Sequence, residues 1–255
     1  MAAKLALITG ASYGLGYEFA KLLAQSGYDL ALVARSAEKL EANAQELRTR
    51  YRVEVTPVSA DLGDRASIAA LLQQVPRCDV LVNNAGFANY GKFAELSEER
   101  VLDEIQLDVV SVAQLTRRYL PEMIARKSGR ILNVASTAAF VPGPTAAVYY
   151  ASKAFVLSFS EAIAYELRGS GVTVTCLCPG PTATGFQERA KAESLLLFRL
   201  PMADATKVAK AGIDGMMRGK PVVVPGIANK AVAFSPRFSP RALLLAISAK
   251  LLQRI

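Results

Sequence analysis

The sequence contains no histidine, so proton transfer near neutral pH must fall to a carboxylate, Lys, Tyr or Cys tuned by its surroundings. Ser-His-Asp and Cys-His mechanisms are excluded, as are metal sites built on imidazole. The pair best spaced for such work is Tyr149 and Lys153. They lie four residues apart in a segment of helical pattern, so both side chains project from one face. A phenol ordinarily ionises near about pH 10, and a neighbouring ammonium favours phenolate and brings it down. Spacing alone fits an ordinary helix face equally well, and Tyr150, three before Lys153, competes for the acid's role. The three cysteines, Cys78, Cys176 and Cys178, are too few for a disulfide scaffold and cannot complete a four-ligand zinc site. Cys176 and Cys178 fall on a strand-like run and read as small hydrophobes, and Cys78 has no evident activator. These features predict a reduced, metal-free, cytoplasmic protein. Its opening residues run directly into Leu5-Ala6-Leu7-Ile8 with no secretory signal pattern.

Positioning such groups requires a scaffold, and the chain alternates between two patterns. Strand-like runs fall at Leu5–Thr9, Leu30–Ala34, Val53–Val58, Val80–Asn83, Arg130–Ala135, Val172–Cys178 and Val222–Val224. They are apolar throughout, as buried parallel strands are. Helical patterns lie between them at Gly14–Ser26, Ala37–Tyr51, Arg65–Val75, Glu98–Arg126, Tyr149–Arg168 and Ala205–Arg218. Ser36, Ser97 and Asp204 stand at N-cap positions, and Gly27, Gly169 and Gly219 at stops. This alternation predicts the α/β class: one doubly wound Rossmann-type domain over residues 1–255, with a parallel sheet of about seven strands and helices on both faces.

The first strand ends in Thr9-Gly10-Ala11-Ser12-Tyr13-Gly14-Leu15-Gly16, and a helix follows at once. Glycines there let the backbone approach a pyrophosphate, whose charge rests on free N–H groups at the helix start. A Gly-rich turn alone is weak evidence, because tight turns use glycine anyway. A strand before it and a helix after it strengthen the case.

Further segments follow in order: Asp61-Leu62, Asn83-Asn84-Ala85-Gly86, Ser136, Tyr149-x-x-x-Lys153 and Pro179-Gly180-x-x-x-Thr184. With the Thr-Gly-x-x-x-Gly-x-Gly loop they make the chain resemble the short-chain dehydrogenase/reductase family over residues 4 to about 185. The resemblance implies a nicotinamide cofactor cradled by Gly10, Ser12, Tyr13, Gly14, Leu15 and Gly16. Asp61 and Leu62 would flank its adenine, and Asn83, Ala85 and Gly86 would support the sheet beside it. Pro179, Gly180, Thr182 and Thr184 would hold the nicotinamide end. It also implies that Tyr149 is the general acid/base, that Lys153 bonds the ribose hydroxyls, and that Ser136 orients the substrate oxygen. Relatives commonly carry an Asn in the long helix before Ser136 that holds a relay water. Here Asp108 stands in its place, and no Asn occurs between Asn89 and Asn133.

The second strand ends Val33-Ala34-Arg35-Ser36. A carboxylate there would bind a ribose 2′-hydroxyl, and an Arg accommodates a 2′-phosphate. Arg35 and Ser36 therefore predict NADP(H), while Tyr13 occupies a position where many NADP-preferring relatives carry a second basic residue. The reading is a carbonyl reductase, or alcohol dehydrogenase in reverse. Its different-class alternative is a nucleotide-binding regulator that lost turnover through Asp108.

The segment 186–202, with Leu195-Leu196-Leu197-Phe198, would cover an apolar substrate such as an acyl chain, a steroid or another lipid-like ketone. The net charge of +8 resides in residues 186–255, where 12 basic side chains meet 4 acidic ones; the preceding 185 residues balance at 18 and 18. No acid follows Asp214. The tail 226–255 is too short and charged to span a bilayer. Two expectations follow, packing on the body or a sister subunit, or lying on an anionic membrane surface as a basic amphipathic segment. No aromatic-interleaved basic motif points to nucleic acid. The resemblance implies a homodimer or homotetramer, paired through the helices at 98–126 and 149–168.

Overall fold

Strands apolar on both faces must be covered on both, and the computed structural model, described over residues 4–254, does so. The seven strands are β1 (Leu5–Thr9), β2 (Asp29–Ala34), β3 (Val55–Ser59), β4 (Val80–Asn83), β5 (Gly129–Val134), β6 (Val172–Leu177) and β7 (Val222–Val223). They form one sheet in the order β3-β2-β1-β4-β5-β6-β7, parallel at every pairing. The chain winds outward from β1 to β3, then returns to place β4 on the other side of β1. That reversal opens a crevice beyond the carboxyl ends of β1 and β4, where such sheets bind ligands.

Ten helices connect and follow the strands: α1 (Gly14–Gln25), α2 (Ala37–Tyr51), α3 (Arg65–Gln74), α4 (Glu98–Ile105), α5 (Ser111–Ala125), α6 (Ala147–Glu166), α7 (Phe186–Arg189), α8 (Ala205–Met217), α9 (Ile227–Phe234) and α10 (Arg241–Leu251). One core layer joins Ala6 and Ile8 to Phe19 and Leu23 of α1, Leu40 and Leu47 of α2, and Val208 and Ile213 of α8. The opposite layer joins Leu7, Val33 and Leu81 to Ile68 of α3 and to Leu115 and Met123 of α5. Alternate strand residues feed opposite layers, as the period of two requires.

Expected boundaries hold to within two residues for most elements, and the departures lie in the long helix over 98–126, at the helix caps and in the tail. The helical pattern over 98–126 is interrupted by a π-helical turn at Gln106–Val110. This five-residue turn shifts the phase of the helix and turns Asp108 wholly inward. Ser36 stands at the N-cap of α2 without a side-chain capping bond. Ser97 and Asp204 do cap α4 and α8, and Asp64, unmarked by the sequence pattern, caps α3 through Ala66 N and Ser67 N. The tail forms two helices. Of α10 only Leu244 and Ser248 are buried, and nothing of α9 is. Among the described residues, no helix is long and apolar enough to cross a membrane.

A buried polar ladder crosses the sheet beneath the crevice. Asn83 Nδ2 donates to Thr116 Oγ1 at 3.1 Å and to Asn133 Oδ1 at 2.9 Å, and Asn133 Nδ2 donates to Ser160 Oγ at 2.9 Å. The ladder ties β4 and β5 to α5 and α6, fixing the helix that carries Tyr149. Asn133→Ala would strip the Asn83 amide of one acceptor and the Ser160 hydroxyl oxygen of its donor, both buried, at about 2–4 kcal/mol. The expected result is a lower urea midpoint with an unchanged slope.

Candidate active site

The loop after β1 is shaped by its glycines. Gly10 and Gly14 adopt φ of +67° and +54°, which L side chains rarely tolerate. A Cβ on Gly16 would overlap the Gly10 carbonyl, and one on Gly14 would meet Thr184 Cβ at 2.8 Å. The backbone is thus bare where a phosphate would approach, with the N-terminus of α1 behind it. Asn84, within the segment Asn83 to Gly86 that the resemblance places in support of the sheet beside the cofactor, also secures this loop. Its Nδ2 donates to Thr9 O at 2.9 Å and to Gly10 O at 3.3 Å, while Thr9 Oγ1 accepts from Asn84 N and Ala85 N. Asn43 of α2 holds the other side through Ala11 O and Ser12 O. Leu15 packs partly buried on the core layer beneath.

Around the same crevice, Arg35 is exposed at the end of β2, beside half-buried Ser36. Tyr13 brings no charge of its own, yet its ring gathers two. Lys39 Nζ lies 4.0 Å and Arg189 Cζ 5.3 Å from its centroid. The positive field expected of Arg35 alone therefore has two further contributors, which sequence spacing did not reveal. Asp61 lies exposed at the end of β3, where its Oδ1 accepts from Gly63 N. Leu62 and Asn83 are placed differently from open crevice residues. The Leu62 side chain is buried in the core, and the Asn83 amide is committed to the ladder. Beyond β6, Pro179 O accepts from Thr137 N at 2.8 Å, Thr182 Oγ1 donates to Gly180 O at 2.8 Å, and Thr184 Oγ1 accepts from Phe186 N.

The proton-handling residues converge on the carboxyl side of β5. Ser136 follows that strand, and its Oγ accepts from Ala138 N at 3.1 Å. Lys153 Nζ lies 5.4 Å from the centroid of the Tyr149 ring and 2.7 Å from Asp108 Oδ2. The other Asp108 oxygen accepts from Phe87 N at 3.1 Å. Gly86 gives these groups their space, since a Cβ there would meet Asp108 Oδ1 at 2.9 Å and Lys153 Nζ at 3.1 Å. Tyr150, the rival acid, instead lays its ring against Gly143.

The electrostatics correct one expectation. Burial pushes the Tyr149 phenol above its ordinary range, the Asp108 charge adds to the rise, and the Ser136 hydroxyl pulls it back. Asp108 sits against the Lys153 ammonium at 2.7 Å, so its negative charge opposes the field of that cation at the phenol. Burial likewise raises Asp108 itself, with Lys153 and the Phe87 amide opposing.

An apolar wall completes the site. Phe186 lies 5.9 Å from Tyr149, ring centre to ring centre, and Phe198 meets Tyr90 edge-on at 6.5 Å. The segment carrying both is fastened by the tail. Leu196 N donates to Gln253 O at 3.0 Å, and Arg254 donates to Ser194 Oγ and Lys191 O.

The sequence reading also passed over Glu104, a fully buried carboxyl. Burial, opposed by bonds from Asn89, lifts it from the usual carboxylate range to about 7. A carboxyl raised in the folded state loses stability once the unfolded chain, but not the folded one, has released its proton. Stability should therefore fall as pH rises from about 4.5 to about 7 through this group. Urea titrations should show that fall in the wild type and a flatter profile in Glu104→Gln.

The family model described as short chain dehydrogenase matches residues 4–194. A very-long-chain 3-oxoacyl-CoA reductase of Anas platyrhynchos is 36% identical over 193 residues, 73% of this chain and 62% of that protein. The structure of a short-chain dehydrogenase from Sphingobium yanoikuyae in complex with NADPH superposes with a TM-score of 0.83 at 32% identity, covering 89% of this chain and 90% of that one. That of a bulky-bulky ketone specific alcohol dehydrogenase from Comamonas testosteroni gives 0.79 at 26% identity, covering 89% and 88%. With its glycine loop, sheet order and Tyr-x-x-x-Lys helix all in register with that match, the chain belongs to the short-chain dehydrogenase family.

Proposed function

We propose that this oxidoreductase reduces an apolar ketone to a secondary alcohol, using Tyr149, Lys153 and Ser136 with Asp108 behind them. The observation that carries the reading is the convergence of these residues beside the glycine loop, at the carboxyl ends of β4 and β5. NADP(H) is the cofactor, in keeping with Arg35 at the end of β2 and no acid there, and with the NADPH held by the Sphingobium relative. When bound, it supplies the hydride and, once oxidised, a positive ring. Gly10, Ser12, Tyr13, Gly14, Leu15 and Gly16 hold its phosphates in this reading, with Arg35, Ser36, Asp61, Ala85, Gly86, Pro179, Gly180, Thr182 and Thr184 along its length. Asn83 and Leu62 serve from behind, through the ladder and the core.

The residues divide the proton work. Ser136 donates a hydrogen bond to the carbonyl oxygen and sets its direction. Tyr149, kept protonated by burial, gives its proton to that oxygen as the carbon accepts hydride. Lys153 would bond the ribose hydroxyls of the bound cofactor, and Asp108 holds its ammonium in place. Phe186, Tyr90 and Phe198 favour a substrate with an apolar body. Tyr149→Phe should lower turnover at least ~100-fold while leaving NADPH binding, followed by nucleotide fluorescence, intact. Oxidation of NADPH against bulky ketones, 3-oxoacyl thioesters and small polar ketones tests the substrate class. Preference for the polar ketones would overturn it, and NADPH binding without turnover on any of them would favour a nucleotide-binding regulator.

The family resemblance also supports pairing of copies along α4, α5 and α6, where Phe155 is partly exposed and stacked on Phe159 at 5.5 Å. The tail supports a separate reading, contact with an anionic membrane. Leu244 and Ser248 turn one stripe of α10 onto the body and Leu252 just beyond it packs with Ala192 and Leu195, leaving Leu243, Leu245 and Ile247 outside with Ile227, Phe234 and Phe238 nearby in sequence. Lys230, Arg237, Arg241, Lys250 and Arg254 are the charged side chains of the tail, with no acidic side chain among them. Apolar anchors among unopposed cations suit anionic headgroups. Vesicles containing phosphatidylserine should float the protein at low salt and release it at high salt. Phe238→Asp with Ile247→Asp should abolish flotation without loss of ketone reduction. Absence of flotation, with self-association lost in the double variant, would assign the face to a sister subunit.

A further inference from the structure

Glu104 has no part in the reaction as drawn, yet its placement is costly. Its side chain is wholly out of water. Oε2 accepts from Asn89 N at 3.2 Å and from Asn89 Nδ2 at 2.8 Å, and Oε1 is buried with no partner. A half-satisfied buried carboxyl is a destabilising choice where Gln or Leu would fit the same helix position. It sits four residues before Asp108, at the junction where α4 runs into the π turn. The titratable groups acting with it are Asp108 from that turn, Tyr149 and Lys153 from α6, and Tyr90 from the loop after β4. Lys153 is the single cation among them, and it is already engaged by Asp108 at 2.7 Å. The cluster of Lys153, Asp108 and Glu104 is therefore neutral when Glu104 carries its proton and negative when it does not.

We propose that Glu104 is a positioning residue for charge: once ionised, it adds a second negative charge about one helical turn before Asp108, the partner of Lys153, and keeps Tyr149 a proton donor to higher pH than Asp108 alone would. This rests on the reductase reading above, and it deepens that reading by naming what sets the pH range of the reduction. The sign follows from electrostatics, since a nearby negative charge disfavours phenolate. Glu104 lies among the charges that raise Tyr149, after burial, Asp108 and Tyr150. Glu104 gives its proton to solvent and transfers none to substrate, so the stoichiometry of hydride and proton delivered to the carbonyl is unchanged.

Glu104→Gln keeps an acceptor for Asn89 and removes the charge. The basic limb of the pH profile of kcat/KM for NADPH-linked ketone reduction should move to lower pH by roughly half a pH unit or more. A role in packing alone would change stability or KM and leave the limb in place. A second measurement needs no turnover. In the NADP-bound protein labelled with 13C at tyrosine Cζ, the Tyr149 resonance, identified by its loss in Tyr149→Phe, should titrate at lower pH in Glu104→Gln than in the wild type. A limb and a resonance that both stay put would overturn the proposal. A wild-type protein that reduces no ketone would overturn the reductase reading instead, and the resonance would still decide the role of Glu104.

Discussion

The site depends on a single buried ion pair, Lys153 with Asp108, closed to 2.7 Å at almost no exposure. Two charges withdrawn from water repay desolvation only when they face each other closely and their remaining valences are met. That constraint organises the surroundings. Gly86 must lack a side chain, because a Cβ would intrude on both groups. The Phe87 amide must turn toward Asp108. The helix carrying Asp108 must break phase in a π turn to deliver the carboxylate inward. The pair also determines what kind of acid Tyr149 is. With its neighbouring cation neutralised, the phenol is held by burial in its protonated form, the form a carbonyl requires from a donor.

The sheet supplies the other half of the geometry. Because β4 returns to the far side of β1, the loop of Gly10–Gly16 and the segment Asn84–Gly86 face one another across the crevice, joined by Asn84 and Thr9. Parallel strands bring all their carboxyl ends to one edge, so Arg35, Asp61, Ser136 and Pro179 share that edge although they span much of the chain. The ladder of Asn83, Asn133 and Ser160 then locks α6 to the sheet below. The distance between the crevice and Tyr149 is thereby set by buried polar bonds and not by surface loops.

Legibility in the sequence followed the range of the interactions involved. The strand runs, the stops at Gly27, Gly169 and Gly219, and the glycine loop are local patterns enforced by backbone sterics, and they were readable as such. The choice of Tyr149 over Tyr150 followed a spacing pattern and has a local counterpart in the structure, the ring of Tyr150 against Gly143. The gathering of Lys39 and Arg189 at Tyr13 was not readable, because it joins residues from three separate elements. The tail was only half legible. Its composition allowed packing on the body or a sister subunit as readily as a membrane-facing basic segment, and the structure shows Leu244 and Ser248 of α10 buried with Leu243, Leu245 and Ile247 exposed.

Sequence alone determined that, without histidine, any proton chemistry here falls to Tyr, Lys or carboxylate, and that alternating strands and helices close into a doubly wound sheet. Both are matters of side-chain inventory and local backbone preference. The tertiary structure decided how the charges cancel. Tyr149 is buried, and Asp108 meets Lys153 through the π turn and the packing of α6 against it. Burial first and the Asp108 charge second therefore raise the phenol that a free ammonium would lower. It also decided that Glu104, one of 22 acidic residues, is the one buried beside that pair with an oxygen left free. Electrostatic energy depends on distance and burial, and neither is written in the order of residues along a chain.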